Sequence, residues 1–296
     1  MTATAAAPPV TKRPVGTRPS RRWIGMTVRI ALLVFFLLIV LIPVYVLLIT
    51  SFKEKGAISA SDAWALPSGW PWDWTTSGWS TAWDRLEAPL WRSVQLAVPG
   101  AVIASILGSM NGFVLSRWRF PFANLVFILI LFGMFIPYQA VMLPLVDLLI
   151  NDINIENGIP ALLLTHIVFG IPICTLIFRN YYETVPSDLI EAARVDGAGM
   201  LQTYIRIILP LSAPAFVVTL IWQFTSIWND FLFALFLSSE DNGPVTLALN
   251  NLAGGQLSNY QASMAAALIA AFPTLIVYIV LGRFFLRGLM AGSLKG

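Results

Sequence analysis

The sequence predicts an all-α integral membrane protein with six transmembrane helices. Hydrophobic residues make up 57% of its 296 residues and charged residues only 11%, whereas soluble domains carry about 25% charged residues. The mean hydropathy is +0.77. Because a helix needs about 20 apolar residues to cross a bilayer, the apolar stretches define six predicted spans: 27–49, 92–115, 123–149, 160–179, 212–237 and 262–286.

The N-terminal part, rich in Ala, Pro, Thr and Arg, predicts a disordered basic cytoplasmic tail at 1–26. The apolar run behind it is too long for a signal peptide and lacks a small-residue cleavage pattern, so it predicts a retained first transmembrane helix at 27–49. An extracytoplasmic loop follows at 50–91 and holds seven of the eleven tryptophans. Tryptophan stacks on sugar rings, lies at the lipid–water interface or packs within a small fold, and the interfacial or packing role is favoured.

A five-helix core is predicted at 92–287. Its first helix carries a stripe of small residues that favours close helix packing: Ala101, Ser105, Gly108 and Gly112. Its second helix is interrupted by Pro137 and Pro144, which predict kinks or an early end because proline removes an intrahelical hydrogen bond. Three further segments complete the prediction: a polar loop at 180–211, an outer loop at 239–261 and a cytoplasmic C-terminal tail at 288–296.

The positive charges divide unevenly between the two sides of the membrane. Of the 18 Lys and Arg residues, fourteen flank the termini and the loops at 116–122 and 180–211, and the other four lie on the opposite side. Positive residues are enriched on the cytoplasmic side, so both termini and the 180–211 loop are predicted to be cytoplasmic. The formal net charge of +3 follows from this asymmetry and gives no reason to expect nucleic acid as a partner.

Residues that could carry chemistry are few. Cys174 is the single cysteine, so no disulfide is possible within the chain. His166, the single histidine, has no carboxylate or cysteine at ligand spacing, and is interpreted as a neutral side chain hydrogen-bonded to a neighbouring helix. The sequence contains no G-x4-G-K-[ST], H-E-x-x-H or G-x-S-x-G motif. No catalytic residue, metal or cofactor is therefore predicted.

The polar segment at 191–210 reads EAARVDGAGMLQTYIRIILP and predicts two short helices joined by a turn. Gly197 permits the turn, because glycine adopts left-handed backbone angles without strain. A segment too polar for lipid and too apolar for water favours a protein partner; the alternative is an amphipathic loop on the membrane surface. It fits the spacing E-A-A-x3-G-x9-I-x-L-P, and the predicted docking residues are Glu191, Ala192, Ala193, Asp196, Gly197, Ile207, Leu209 and Pro210.

This motif resembles the signature loop of the membrane subunits of bacterial ABC importers, which docks onto the ATPase. From about Ser51 to its end, the chain resembles the maltose-type sugar permeases. The matching segments are Phe120-Pro121-Phe122, Ile136-Pro137, Leu143-Pro144, Trp228-Asn229-Asp230-Phe231-Leu232 and Arg287-Gly288-Leu289. The sequence of residues 221–252 is most similar to glucose/mannose-type permeases.

The resemblance implies an ABC importer permease fold with cytoplasmic coupling helices, in the plasma (inner) membrane of a bacterium, as a non-catalytic subunit. It implies four kinds of partner: a second homologous permease, two ATP-binding subunits, an extracytoplasmic sugar-binding protein and a carbohydrate substrate. The main alternative is a stand-alone ion-coupled secondary carrier, which would show paired ionisable groups at the membrane midplane and internal repeats. The sequence shows neither. A membrane-embedded hydrolase is disfavoured, because a nucleophile–base pair is missing.

Four polar residues recur at helical spacing in the predicted span at 212–237: Gln223, Ser226, Asn229 and Asp230. Polar side chains inside a membrane face either a cavity or a partner helix. The pattern is compatible with a translocation pathway, in which the amides and the carboxylate bind sugar hydroxyls. It is equally compatible with hydrogen bonds that hold this helix to its neighbours.

Overall fold

A computed structural model describes residues 20–54, 64–66, 74–118, 120–254 and 259–293. Within these ranges the chain is helical and has no β-strand. The α-helices are α1 (Ser20–Ser51), α2 (Ser77–Arg117), α3 (Ala123–Phe132), α4 (Met142–Val146), α5 (Ile159–Glu183), α6 (Ser187–Val195), α7 (Met200–Thr203), α8 (Leu209–Leu211), α9 (Ala213–Trp228), α10 (Leu232–Leu237), α11 (Val245–Gly254) and α12 (Tyr260–Ser293). The connections include 3-10 turns at Gly133–Phe135 and Tyr138–Val141, and π-helical segments at Asp147–Asp152 and Tyr204–Ile208.

Four of these helices are long and apolar enough to cross a membrane: α1, α2, α5 and α12. The number reaches six if each of two bent helix pairs counts as one span. One pair, 123–135 with 138–152, is bent by 86°, and the other, 200–211 with 213–228, by 77°. The first bend lies at Pro137, where a kink is predicted, whereas Pro144 is accommodated inside α4.

The first helix starts earlier than the sequence predicts. Residues 20–26 already belong to α1, so the prediction of a disordered tail is wrong for them; residues 1–19 lie outside the described ranges. Pro19 is the last proline of the tail, and residues 20–26 contain no helix breaker stronger than one glycine. The side chains of residues 25–45 are exposed and mostly apolar on all faces of α1, which is typical of a membrane span.

The second helix also starts earlier, because α2 begins at Ser77 and not near residue 92. The predicted loop at 50–91 is therefore wrong for residues 77–91. Charged residues give this stretch the composition of a loop, but Ala82, Leu86 and Pro89 form a buried helical stripe while the charges remain exposed. Phe52 packs against Trp74, ahead of α2, and against Trp79 in the first turn of α2, with ring centroids 4.9 and 5.5 Å apart. Trp70 and Trp72 are outside the described part of the loop.

The small-residue stripe of α2 packs against α5, as predicted. A Cβ atom placed on Gly108 would lie 2.3 Å from Cys174 Cβ, and one on Gly112 would lie 2.8 Å from the Arg179 backbone nitrogen. These distances are shorter than any van der Waals contact, so the two helix backbones approach as closely as glycine alone allows.

The last part of the core departs from the prediction at three points. The predicted span at 212–237 is broken, because α9 ends at Trp228 and α10 begins at Leu232. The predicted outer loop at 239–261 contains α11, and its residues 255–258 are not described. The predicted tail at 288–296 continues α12 as far as Ser293, and residues 294–296 lie beyond the described ranges. Hydropathy alone locates none of these boundaries, since polar helices and loops have similar compositions.

Candidate functional site

The segment between α5 and α9 folds as the predicted pair of short helices around a glycine turn. Gly197 has a φ of +79°, the left-handed conformation that its position in the motif predicts. The Gly197 N–H donates a hydrogen bond to the Arg194 carbonyl at 3.0 Å, and the Ala198 N–H donates to the Ala193 carbonyl at 2.9 Å. These two bonds close the end of α6 and direct the chain into α7.

The predicted docking residues divide between two faces of this segment. The outward face carries Glu191, Ala192, Asp196, Gly197 and Pro210, which are exposed, and the inward face carries Ala193, which is buried, with Ile207 and Leu209 half-buried. Apolar neighbours also point outward, above all Val195, which is 88% exposed, and Leu201. An exposed apolar surface rimmed by polar residues is typical of a protein interface. We call this outward face the docking face.

The inward face is held to the core by an apolar cluster and a set of buried hydroxyl groups. Ile190, Tyr204 and Ile208 belong to one buried cluster with Phe113 of α2 and Phe178 of α5. Within the described chain, the hydroxyl set consists of Ser109, Tyr182, Tyr204 and Ser212.

Ser109 lies at the centre of the hydroxyl set. Its Oγ atom is 2.6 Å from Tyr182 Oη and 2.8 Å from Tyr204 Oη, and Ser212 Oγ donates to Tyr182 Oη at 2.9 Å. The four residues come from α2, α5, the π-helical segment at Tyr204–Ile208 and the start of α9. The hydroxyl set therefore links the inward face of this segment to three helices. It is not evident from the sequence, although Ser109 stands beside the small-residue stripe.

A second anchor lies where α2 ends. The Arg117 guanidinium donates to the backbone carbonyls of Tyr182 and Val185, and the Arg194 guanidinium lies over the Trp118 ring, 5.0 Å from its centroid. A cleft of about 630 Å³ between these elements is lined on the α6 side by Glu191 and Arg194. The end of α2 and the docking face are thus connected.

The four predicted pathway residues line one cavity of about 450 Å³. We call it the central cavity. Its other lining residues are Tyr138, His166, Phe169, Gly170, Phe231, Leu232 and Phe233. The four residues do not share one continuous helix, because Asn229 and Asp230 occupy the break between α9 and α10. Asn229 Nδ2 donates to the Thr225 carbonyl of its own helix at 2.9 Å.

The exposure of these polar side chains favours a role in the translocation pathway over a role in hydrogen bonding between helices. Ser226 and Asn229 are exposed, and within the described chain neither makes a side-chain hydrogen bond to another helix. Gln223 is the exception, since it is 3% exposed and its amide packs where a side chain on Gly170 would otherwise lie, 1.7 Å from a Cβ atom placed there. Two of the four polar residues, Ser226 and Asn229, are therefore open, and Asp230 is partly exposed.

His166 is not among the predicted pathway residues, yet it lines the same cavity. Its Nε2 atom lies 3.6 Å from Asp230 Oδ2, and this nitrogen has no hydrogen-bond partner among the described residues. The predicted hydrogen bond to a neighbouring helix is thus not found for this atom. No sequence pattern pairs these two ionisable groups, but folding brings them together from distant positions in the chain. Among the described residues, no group of three or more His, Cys, Asp or Glu could hold a metal ion.

Comparison with known proteins gives a consistent match. Residues 100–290 match the family described as "Binding-protein-dependent transport system inner membrane component". A probable ABC transporter permease protein of Pyrococcus horikoshii is 49% identical over 169 residues, which is 57% of this chain and 61% of that protein's length. The xylose/arabinose import permease protein of Haloferax volcanii is 36% identical over 282 residues, 88% of this chain and 90% of that protein.

A solved structure supports the fold. The crystal structure of a bacterial ABC transporter involved in the import of the acidic polysaccharide alginate contains a chain that matches with a TM-score of 0.75. The match covers 92% of this chain and 100% of that chain, at 23% sequence identity. At this identity the similarity concerns the arrangement of the helices, and it confirms the predicted architecture.

Proposed function

The chain belongs to the family of binding-protein-dependent transport system inner membrane components, and we propose that it forms half of the translocation pathway of an ATP-driven carbohydrate importer. The observation that carries the proposal is the docking face: an apolar and acidic surface on a loop that is rigidly attached to the core. The relative from Haloferax volcanii supports the carbohydrate class, because it is a xylose/arabinose import permease that aligns with 88% of this chain.

We infer the partners of this chain from its lack of a P-loop and from its exposed docking face. Its sequence contains no P-loop, so we infer that two separate ATP-binding subunits hydrolyse ATP and that this subunit is not catalytic. A second homologous permease would supply the other half of the pathway, and an extracytoplasmic binding protein would deliver the sugar. In this arrangement the docking face contacts an ATP-binding subunit on the cytoplasmic side of a bacterial plasma membrane.

We call the segment between α5 and α9 the docking segment, and we assign different roles to its two faces. Glu191, Asp196 and the exposed apolar side chains contact the ATP-binding subunit, with the carboxylates available to basic groups. Ala193, Ile207 and Leu209 fit the segment against the core, and Gly197 sets the angle between the two short helices. Pro210 stands near the 77° bend into α9, so movement of the segment is passed to the helix that lines the central cavity.

The sugar passes the central cavity along Gln223, Ser226, Asn229 and Asp230. Aromatic rings line the same cavity, and sugars bind sites that combine a flat apolar surface with hydrogen-bonding groups. A second function is favoured by one observation: the His166–Asp230 pair is what an ion-coupled secondary carrier would use.

Purification from native membranes distinguishes the two functions. We expect the chain to co-purify with two ATP-binding subunits and a second permease, and sugar uptake in proteoliposomes to require ATP and the binding protein. Collapsing the proton and sodium gradients should leave the initial uptake rate unchanged. A chain that purifies alone and takes up sugar in proportion to an ion gradient would instead be a secondary carrier.

The orientation can be tested by cysteine labelling in a Cys174→Ala background. Ser187 in α6 and Asp241 after α10 are both exposed, and the distribution of positive charge predicts that they lie on opposite sides of the membrane. In intact spheroplasts, a membrane-impermeant maleimide should label Asp241→Cys but not Ser187→Cys. Permeabilisation should expose Ser187→Cys. Labelling of both positions from one side would contradict the proposed topology.

A further inference from the structure

The wall of the central cavity contains an unsatisfied polar position. His166 is 6% exposed, and its Nε2 atom has no hydrogen-bond partner in the described part of the chain. Its distance of 3.6 Å from Asp230 Oδ2 exceeds the length of a hydrogen bond. Buried polar groups in folded proteins are almost always satisfied, so a nitrogen of this kind at a cavity wall is available to a ligand group.

The carboxylate opposite His166 is fixed before any ligand arrives. Asp230 Oδ2 accepts a hydrogen bond from the Ala234 backbone N–H at 3.3 Å, at the start of α10. The Asp230 carbonyl accepts a hydrogen bond from the Thr246 hydroxyl of α11 at 2.6 Å. Two elements therefore position this residue, which lies in the break between α9 and α10. Preorganised groups lose little conformational freedom when they bind a ligand.

Aromatic rings form the surface next to this pair. The Phe233 ring contacts the His166 ring edge to face, with centroids 5.4 Å apart. Tyr138 and Phe169 also contact Phe233, at 5.1 and 5.2 Å. The site thus combines an apolar aromatic surface with a nitrogen donor and a carboxylate acceptor, which is the combination that a sugar ring requires.

We propose that a hydroxyl group of a pyranose monosaccharide bridges His166 Nε2 and the Asp230 carboxylate from the cavity side, while its ring packs against Tyr138. A hydroxyl is both donor and acceptor: it donates to the carboxylate and accepts from the Nε2–H of His166. This chain then selects the sugar by direct contact and does not merely line one half of a pore. The inference rests on the proposed function and adds a specific site and substrate class to it.

The test compares His166 variants in the complete importer, reconstituted with its binding protein and supplied with D-glucose or D-xylose. His166→Phe keeps a ring against Phe233 but removes the donor, and should lower uptake per ATP hydrolysed by about tenfold, the change expected for one hydrogen bond. His166→Gln retains an N–H donor and should recover part of the loss. Leu164→Phe, on the exposed side of the same helix, is the matched control and should transport normally.

Each outcome separates this inference from the proposed function. If wild-type uptake depends on ATP and His166→Phe transports normally, the hydroxyl site is wrong and the importer function stands. If ATP hydrolysis and the yield of complex fall together with uptake, His166 is structural and the inference is also wrong. Wild-type complex that takes up neither sugar contradicts the monosaccharide class. Uptake that follows a proton gradient instead of ATP contradicts the proposed function itself.

Discussion

Most of the assembled protein is expected to be lost when Gly108 is replaced by alanine. The added Cβ would lie 2.3 Å from Cys174 Cβ, 2.8 Å from the Cys174 carbonyl carbon and 2.9 Å from the Thr175 nitrogen. Two of these atoms are backbone, so no change of rotamer relieves the contact and α2 must move away from α5. Overpacking of this kind costs about 1–3 kcal/mol, and here it also disturbs the hydroxyl set, whose central residue Ser109 is the next residue of α2.

The measurement is the yield and the thermal unfolding temperature of purified Gly108→Ala protein. Gly282→Ala is the matched control, because Gly282 also lies inside a long apolar helix but a Cβ atom placed on it would meet no other atom within 4 Å. We expect the control to match or exceed the wild type, since alanine favours helix over glycine. Equal behaviour of the two variants would show that the α2–α5 contact is looser than these distances indicate.

Replacing Gly197 with valine is expected to abolish most ATP-dependent uptake while the chain still inserts into the membrane. The backbone φ of +79° is unfavourable for any residue with a Cβ atom, and more so for a β-branched one. The strain is about 1–2 kcal/mol. A Cβ at this position meets no atom within 4 Å, so the effect comes from the backbone. Relaxation of φ would rotate α6 relative to α7 and displace Glu191 from Leu201 on the docking face.

Gly199→Val provides the control for Gly197→Val. Gly199 is two residues away, is exposed and also has open space around it, but its φ is −71°, which valine adopts without strain. The readouts are the yield of assembled complex, sugar uptake and ATP hydrolysis stimulated by the binding protein. Normal uptake in Gly197→Val, or an equal loss in both variants, would argue against a specific role for the turn.

Sequence patterns predict the features that depend on local chemistry. Hydropathy indicates the membrane class, and the position of Gly197 in its motif predicts its left-handed backbone. Helical spacing also groups the four polar residues that line the central cavity, but for a partly wrong reason. The spacing puts Asn229 and Asp230 on one continuous helix with Gln223, whereas the helix breaks and the cavity surface forms around the break.

Features that depend on long-range contacts are not predictable in this way. No local pattern links His166 with Asp230, or Ser109 with Tyr182 and Tyr204, because each pair meets only when separate helices pack. The start of α2 escapes prediction for a different reason. Its first turns carry charges that resemble those of a loop, and only burial of Leu86 and its neighbours identifies them as helix.

The hydroxyl set has a mechanical consequence for how movement of the docking segment reaches the membrane helices. Its bonds are buried and link α2, α5, the π-helical segment and the start of α9, so water cannot replace them one at a time. The docking segment would therefore behave as a stiff lever fused to the inner ends of these helices. A displacement of the docking segment would then move the inner ends of these helices together, as a switch between two positions.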